Sequence, residues 1–326
     1  MEINYFRSFA ETLLTKFQIR MWKKQKLPFL DYCKAEFAKL GYDDSEIAVH
    51  HNRNMFGFAS RNLVVGKPDA DILFTAHYDT PGNNGFLLFG SRLWGMTGTV
   101  VILPMFFVAI WLLRGQIAIP ATIDFLIQIV LDILFIILLL TFFVQNKYNF
   151  NDNTSGVIGV FKMASIIGND PELRQKCAFV LFDHEEVFLL GSRAFSKWRK
   201  KHHPEKTNST VINFDCIGNG DLLNVMTKIK HEGWHKIADF LKTEGFNVIK
   251  TRNTLISANS DHSVFRKGIS LSFWMRSLLG PIFIPRIHTK KDNICDINKI
   301  ELLCSSVYKY INKLGNSCHC VSIREP

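Results

Sequence analysis

The chain has 326 residues, a formal net charge of +10 and a mean hydropathy of +0.07, which is high for a soluble enzyme. Seven cysteines, an odd number without framework spacing, exclude a disulfide scaffold and fit reduced thiols. The positive charge gathers at Lys23, Lys24 and Lys26 and in SKWRKKHHPEK (Ser196 to Lys206), but no nucleic-acid motif accompanies it, so no nucleic-acid partner is expected. These runs read as solvated helix faces or, with Trp198 in the second, as contacts to anionic lipid.

In chain order, the N-terminus lacks the apolar stretch and small-residue cleavage site of a signal peptide. Helical patterns cover about Tyr5 to Lys24 and Leu27 to Leu40, and a strand is predicted over DILFTAH (Asp71 to His77). Two apolar segments follow. Leu93 to Leu113 carries no charge and, at about 1.5 Å per residue, has the length of a bilayer's hydrocarbon core. Ala121 to Val144 is slightly longer and contains Asp124, Gln128 and Asp132. Gly115 and Pro120 lie in the short link between them. The pattern predicts a transmembrane helical hairpin over residues 93–144 and an integral membrane protein. Arg92 and Lys147 on the head side, against Arg114 in the turn, point to a cytoplasmic catalytic domain. Asp124, Gln128 and Asp132 share one helical stripe. Asp132 is expected to join the two helices, meet a second protomer or line a substrate path.

Beyond the hairpin, helices are predicted near Thr154 to Gly168 (capped by Thr154 or Ser155), Leu189 to Lys200, His231 to Glu244 and Ile297 to Leu314. Strands are predicted at Cys177 to Asp183, Ser209 to Asp215, Asn247 to Thr251 and Ile269 to Trp274. Several are continuous apolar runs, as in a sheet covered by helices on both faces. Residues 1–92 and 145–314 therefore form one α/β catalytic domain, 93–144 an insertion and 315–326 a loose tail.

Candidate chemistry sits at strand ends. His77 and Asp79 are two apart on a strand, so Asp79 is placed to accept the other ring N–H of a metal-bound His77. Asp152, in NDNTSG, precedes a helix start and taken alone is as well read as a cap or turn. Glu185 and Glu186, adjacent acids after an apolar strand, call for a nearby cation. Asp215 closes the next strand, and His288 offers a second imidazole late in the chain. Nitrogen and oxygen donors of this kind suit zinc. Cys216 reads as a buried small residue, and Cys318-His319-Cys320 is an incomplete metal set.

The series HYDT, NDNTSGV, FDHEEVFLLGSRAF, INFDCIG, SDHSVF and IHTKKD resembles the M28 family of zinc aminopeptidases, which also includes glutaminyl cyclases. The resemblance implies a three-layer α/β/α sandwich around a mixed sheet of about eight strands. It implies two zinc ions on His77, Asp152, Glu186, Asp215 and His288, with Asp152 bridging both. Glu185 would be the general base activating the attacking water, and Asp79 the partner behind His77. Ser260-Asp261-His262 matches the family's stretch near the substrate pocket, or caps a helix. Two departures stand out: the family usually has a small residue, often Gly, at His184, and a short connection where the hairpin lies. The expected activity is a membrane-anchored aminopeptidase acting on hydrophobic or membrane-associated peptides, with oligomerisation through the hairpin open. The alternatives are a glutaminyl cyclase-like acyltransferase and a membrane scaffold or transport component with a hydrolase-like fold.

Overall fold

A computed structural model describes residues 2–53, 59–83, 105, 108–110, 112–114, 120–253 and 260–319. Helices α1 (Glu2–Thr15) and α2 (Lys23–Lys39) lead into strands β1 (Ile47–Arg53), β2 (Ala59–Gly66) and β3 (Ile72–His77). After α3 (Ala121–Thr141) come α4 (Gly156–Gly168), α5 (Pro171–Lys176), β4 (Cys177–Phe182), α6 (Leu190–His202), β5 (Thr210–Phe214) and β6 (Leu222–Thr227). The chain closes with α7 (Glu232–Thr243), β7 (Val248–Arg252), β8 (Lys267–Arg276), β9 (Ile282–Phe283) and α8 (Ile297–His319).

The sheet runs β1-β2-β4-β3-β5-β8-β6-β7, with β9 paired to β8. Its centre, β4-β3-β5-β8, is parallel, whereas β1–β2, β2–β4 and β6–β8 are antiparallel, so the sheet is mixed. Alternate residues of each strand enter opposite layers. Phe179 and Leu181 pack with α1, α2, α4, α7 and α8, while Ala178, Val180 and Phe182 face Phe195 of α6. That two-sided burial explains the unbroken apolar run in β4.

The predicted transmembrane hairpin is not borne out. Among the described residues, no helix is long and apolar enough to cross a membrane. Most of residues 93–113, the first predicted span, lie outside the described residues. In the second, α3 carries a polar ladder: Arg114 donates to Asp124 at 2.6 Å and to Gln128 at 2.8 Å, and Gln128 donates to Asp132 at 2.8 Å. These groups interrupt the apolar surface along one stripe, and the integral-membrane, cytoplasmic-head expectation falls with the hairpin. The ladder ties Arg114 to α3 through Asp124 and Gln128, while Asp132 accepts from Gln128 of its own helix. At the C-terminus, α8 runs to His319, so residues 315–319 of the expected tail are helical. Strands β1, β2 and β6 have no counterpart in the predicted elements.

Candidate active site

Three parallel neighbours bring the strand-end residues together. His77 pairs with Phe182, and Thr75 with Asn213, which sets Asp215 level with His77 two residues on. The carboxyl ends of β3, β4 and β5 therefore open side by side, and the loop after β4 carries Glu185 and Glu186 to the same edge.

Asp152 reaches this edge because its turn is sewn to the loop after β5. Asn153 donates to the Phe214 carbonyl and accepts from Cys216 N–H, Ser155 Oγ accepts from Ile217 N–H, and Asn151 Oδ1 accepts from Gly218 N–H. These short polar side chains thus bind backbone across the site. The expected helix cap by Thr154 or Ser155 is instead made by Asn153, which accepts from Gly156 N–H at 2.9 Å.

The result is one carboxylate between two imidazoles. Asp152 Oδ1 lies 3.3 Å from His77 Nε2, and Oδ2 lies 3.0 Å from His288 Nε2. His77 Nε2 is also 3.9 Å from Asp215, and His288 Nε2 is 3.5 Å from Glu186. Two triads that could each hold a metal ion follow, His77-Asp152-Asp215 and Asp152-Glu186-His288, sharing Asp152. A third grouping joins His77 to Glu185 and Glu186. Asp79 faces His77 as expected and also binds the loop after β4. Its carboxylate accepts the backbone N–H groups of Glu185 at 3.0 Å and Glu186 at 3.3 Å, while Oδ1 is 3.6 Å from His77 Nδ1. It holds the glutamate loop at least as firmly as it orients the imidazole.

The electrostatics describe a buried acidic cluster short of positive charge. Burial opposes charge on His77, but the Glu185 charge and contacts with Asp152, Asp215 and Asp79 outweigh it and raise its pKa well above the usual range. Burial likewise opposes charge on His288, yet Glu186 and Asp152 push it up to about 9. Glu186 is pushed up to about 8 by burial and by the Asp152 charge, against the pull of His288. Burial, with Glu186, Asp261 and Asp215 nearby, raises Glu185 well above the ordinary carboxylate range despite His77. Asp152 moves the other way: burial is outweighed by His288 and His77, which hold it low. Glu186 Oε1 is buried without a hydrogen-bond partner among the described residues. An orphaned carboxylate oxygen, crowded acids and two imidazoles make a donor set that fits divalent zinc.

Four further residues shape the site, and of these only Asp261 was placed near it from sequence. Asp292, buried, accepts Asn151 N–H and Asp152 N–H, each at 3.0 Å, and so fixes the shared ligand from behind. Arg20, fully buried, spans two ligand loops: its backbone N–H donates to Thr80 Oγ1, Nε to the Tyr78 carbonyl and a terminal nitrogen to Thr154 Oγ1. Lys26 forms a buried pair with Asp183 at 2.6 Å, so part of the first basic run is not solvated. Arg199 in the second run is buried as well, donating to the carbonyls of Pro68 and Ala70. The fourth, Asp261, was read as near the pocket or as a cap. It is buried with neither oxygen hydrogen-bonded among the described residues, and burial pushes it up to about 7. Asp292 stood in the quoted IHTKKD, but Arg20 and Lys26 have no local signal at all.

His184 turns away from the reaction centre. Its φ of 54° is left-handed, the conformation that favours glycine and explains the usual small residue. Its Nδ1 lies 3.1 Å from Ser60 Oγ and 3.4 Å from Asp183. Nearby, Gly191 at the start of α6 is required because a Cβ there would collide with the Asp183 carbonyl.

The ligands line an open cavity of about 420 Å³ whose walls include Phe188, Arg193, Lys228 and Ile287. That is the size of a small-ligand or short-peptide site.

Residues 143–303 match peptidase family M28. The M28 match takes in Asp152, Glu185, Glu186, Asp215 and His288, and leaves His77, Asp79, Arg20 and Lys26 outside it. Among solved structures, Porphyromonas gingivalis glutaminyl cyclase is similar at a TM-score of 0.64 and 18% identity, over 95% of this chain and 98% of the other. Legionella pneumophila LapA aminopeptidase is similar at a TM-score of 0.57 and 13% identity, over 94% and 69%. Bacteroides thetaiotaomicron glutaminyl cyclase, solved with N-acetylhistamine, gives 0.59 and 16% over 93% and 95%. At these identities the likeness shows the α/β fold with its mixed sheet. No curated protein matches the chain.

Proposed function

We propose that the chain is a di-zinc peptidase of the aminopeptidase type, acting on peptides with a free N-terminus. The observation that carries this reading is the Asp152 carboxylate, whose two oxygens face His77 and His288 at 3.3 and 3.0 Å, the arrangement of a ligand shared between two ions. His77 and Asp215 would hold one ion, Glu186 and His288 the other. Bound there, the metal pair supplies Lewis acidity and brings the pKa of a water toward neutrality. Glu185, on the loop held by Asp79, takes the proton of the attacking water and returns it to the departing amine. Arg20 and Asp292 keep the ligand loops in register while Glu185 moves the proton.

A second reading is favoured by one observation, the likeness to Porphyromonas gingivalis glutaminyl cyclase over 98% of that chain's length. In that case Glu185 would move a proton from the substrate's own amine as an N-terminal glutamine closes into a ring and ammonia leaves. Product analysis separates the two. Zinc-loaded protein is offered free, N-blocked and glutamine-headed peptides, and zinc is counted per chain. Amino acid released from free but not blocked peptides, with near two zinc per chain, supports the peptidase. Ammonia without peptide shortening, from glutamine-headed peptides alone, replaces it with the cyclase.

A further inference from the structure

The cavity is lined by charge of both signs. Its floor holds the acids and imidazoles of the ligand set, while Arg193, in the first turn of α6, and Lys228, just after β6, line it as exposed side chains. Neither cation has a carboxylate partner among the described residues. Arg174, Lys206 and Lys26 are paired, with Glu46, Asp71 and Asp183, but they do not line this cavity. Arg193 and Lys228 come from different elements and line one cavity, a planar fork and a point charge without a carboxylate partner among the described residues.

We infer that the cavity seats a substrate carboxylate between Arg193 and Lys228. Resting on the peptidase reading above, this names the substrate class: short peptides whose C-terminal carboxylate, or an acidic side chain beside the scissile bond, reaches the basic rim. A dipolar peptide then lies with its ammonium toward the acidic floor and its anion toward the cations, so the charge pattern sets its direction as well as its affinity. An arginine fork donates two parallel hydrogen bonds to a carboxylate, an arrangement that an amide of the same shape cannot reproduce.

Matched pairs test this on the zinc-loaded full chain. One pair compares a tripeptide acid with its C-terminal amide. The other compares amidated peptides carrying Glu or Gln at the second position. The wild type is expected to prefer the carboxylate member of at least one pair by about tenfold in kcat/KM, carried by KM. In Arg193→Gln and Lys228→Gln that ratio falls toward one, and Arg193→Lys keeps part of it. The pair that responds identifies the source of the carboxylate. Ratios within twofold of unity in the wild type, or unchanged in both variants, overturn the inference. Should no peptide be cleaved, the peptidase reading fails separately. The rim is then read by calorimetric binding of succinate, expected at least fivefold weaker in Arg193→Gln and Lys228→Gln than in wild type. Equal binding in all three proteins overturns the inference.

Discussion

Negative and positive charge reach the centre of this molecule from two different kinds of segment. The acids lie on short loops after β4 and β5 and on the turn before α4, at or just beyond the ends of the central strands. The buried cations beneath them, Arg20 and Lys26, come from the N-terminal segment around α2, far away in the chain and outside the M28 match. Replacing an acid should therefore strike chemistry or metal, whereas replacing a buried cation should strike the assembly of loops. The sharpest separation comes from Glu185→Gln. It is expected to cost about 10²–10⁴ in kcat, the scale of a lost general base, with zinc content and melting temperature near wild type. Activity within tenfold of wild type would remove Glu185 from the proton-transfer role.

Lys26→Met should show the opposite profile. It leaves Asp183 charged and buried without its partner, and breaking such a pair costs about 3–5 kcal/mol of stability. Denaturant unfolding measures it, and a loss below about 1 kcal/mol would show the pair to be incidental. Arg20→Lys is the intermediate case, since it keeps the charge but loses the fork between Tyr78 and Thr154. Zinc affinity is expected to fall about 10–100-fold, the usual effect of loosening a ligand's support, while the chain stays folded. Unchanged affinity would reduce Arg20 to a packing role.

Much of the acidic side was legible because local spacing carries it. His77, Glu186 and Asp215 end strands that read as apolar runs, and parallel pairing alone then brings them to one edge. Asp152 was ambiguous by itself, since its position depends on Asn151, Asn153 and Ser155 binding the backbone near residues 214–218, contacts more than sixty residues apart. The basic runs misled for the same reason. Lys26 and Arg199 are buried by partners at Asp183, Pro68 and Ala70 that no local pattern announces. The hairpin failed on a different point. Length and hydropathy suggested a span, but Asp124, Gln128 and Asp132 are linked to Arg114 in a polar ladder, and no described helix meets the requirement for crossing a membrane.

The contrast also predicts how pH acts on the metal-free chain. His288, raised to about 9, stabilises the fold fully below its unfolded value near 6.5 and loses that contribution as pH rises through about 9. Glu186, raised to about 8, favours the fold only while protonated, so its effect has the same sign from about pH 4.5 upward. Asp152, held low, adds stability that disappears only below about pH 4. With chelator present, melting temperature should therefore decline between about pH 6.5 and 9, above the range where the buried His262 with its lowered pKa acts in the opposite sense, and saturating zinc should reverse the trend. Zinc binding at pH 7 must expel protons from this cluster, so affinity should rise by up to tenfold per pH unit for each proton released. Calorimetry in buffers of different ionisation enthalpy reads that release, and zinc uptake without it would contradict the charge state of the cluster.

The smallest effect belongs to His184, which sits among the acids yet serves the fold. Burial lowers its pKa, so the ring is neutral at pH 7, and it faces Ser60 and Asp183 rather than the cavity. A left-handed backbone costs a non-glycine residue about 1 kcal/mol, and the contact to Ser60 returns a similar amount. His184→Gly should thus leave stability within about 1 kcal/mol of wild type and leave kcat within a few-fold. Ser60→Ala alone should destabilise by about 1 kcal/mol, because it removes the contact while the strain remains. In the His184→Gly background the same change should do almost nothing, since the partner is already gone. A tenfold or larger loss of kcat in His184→Gly would place the imidazole in the chemistry.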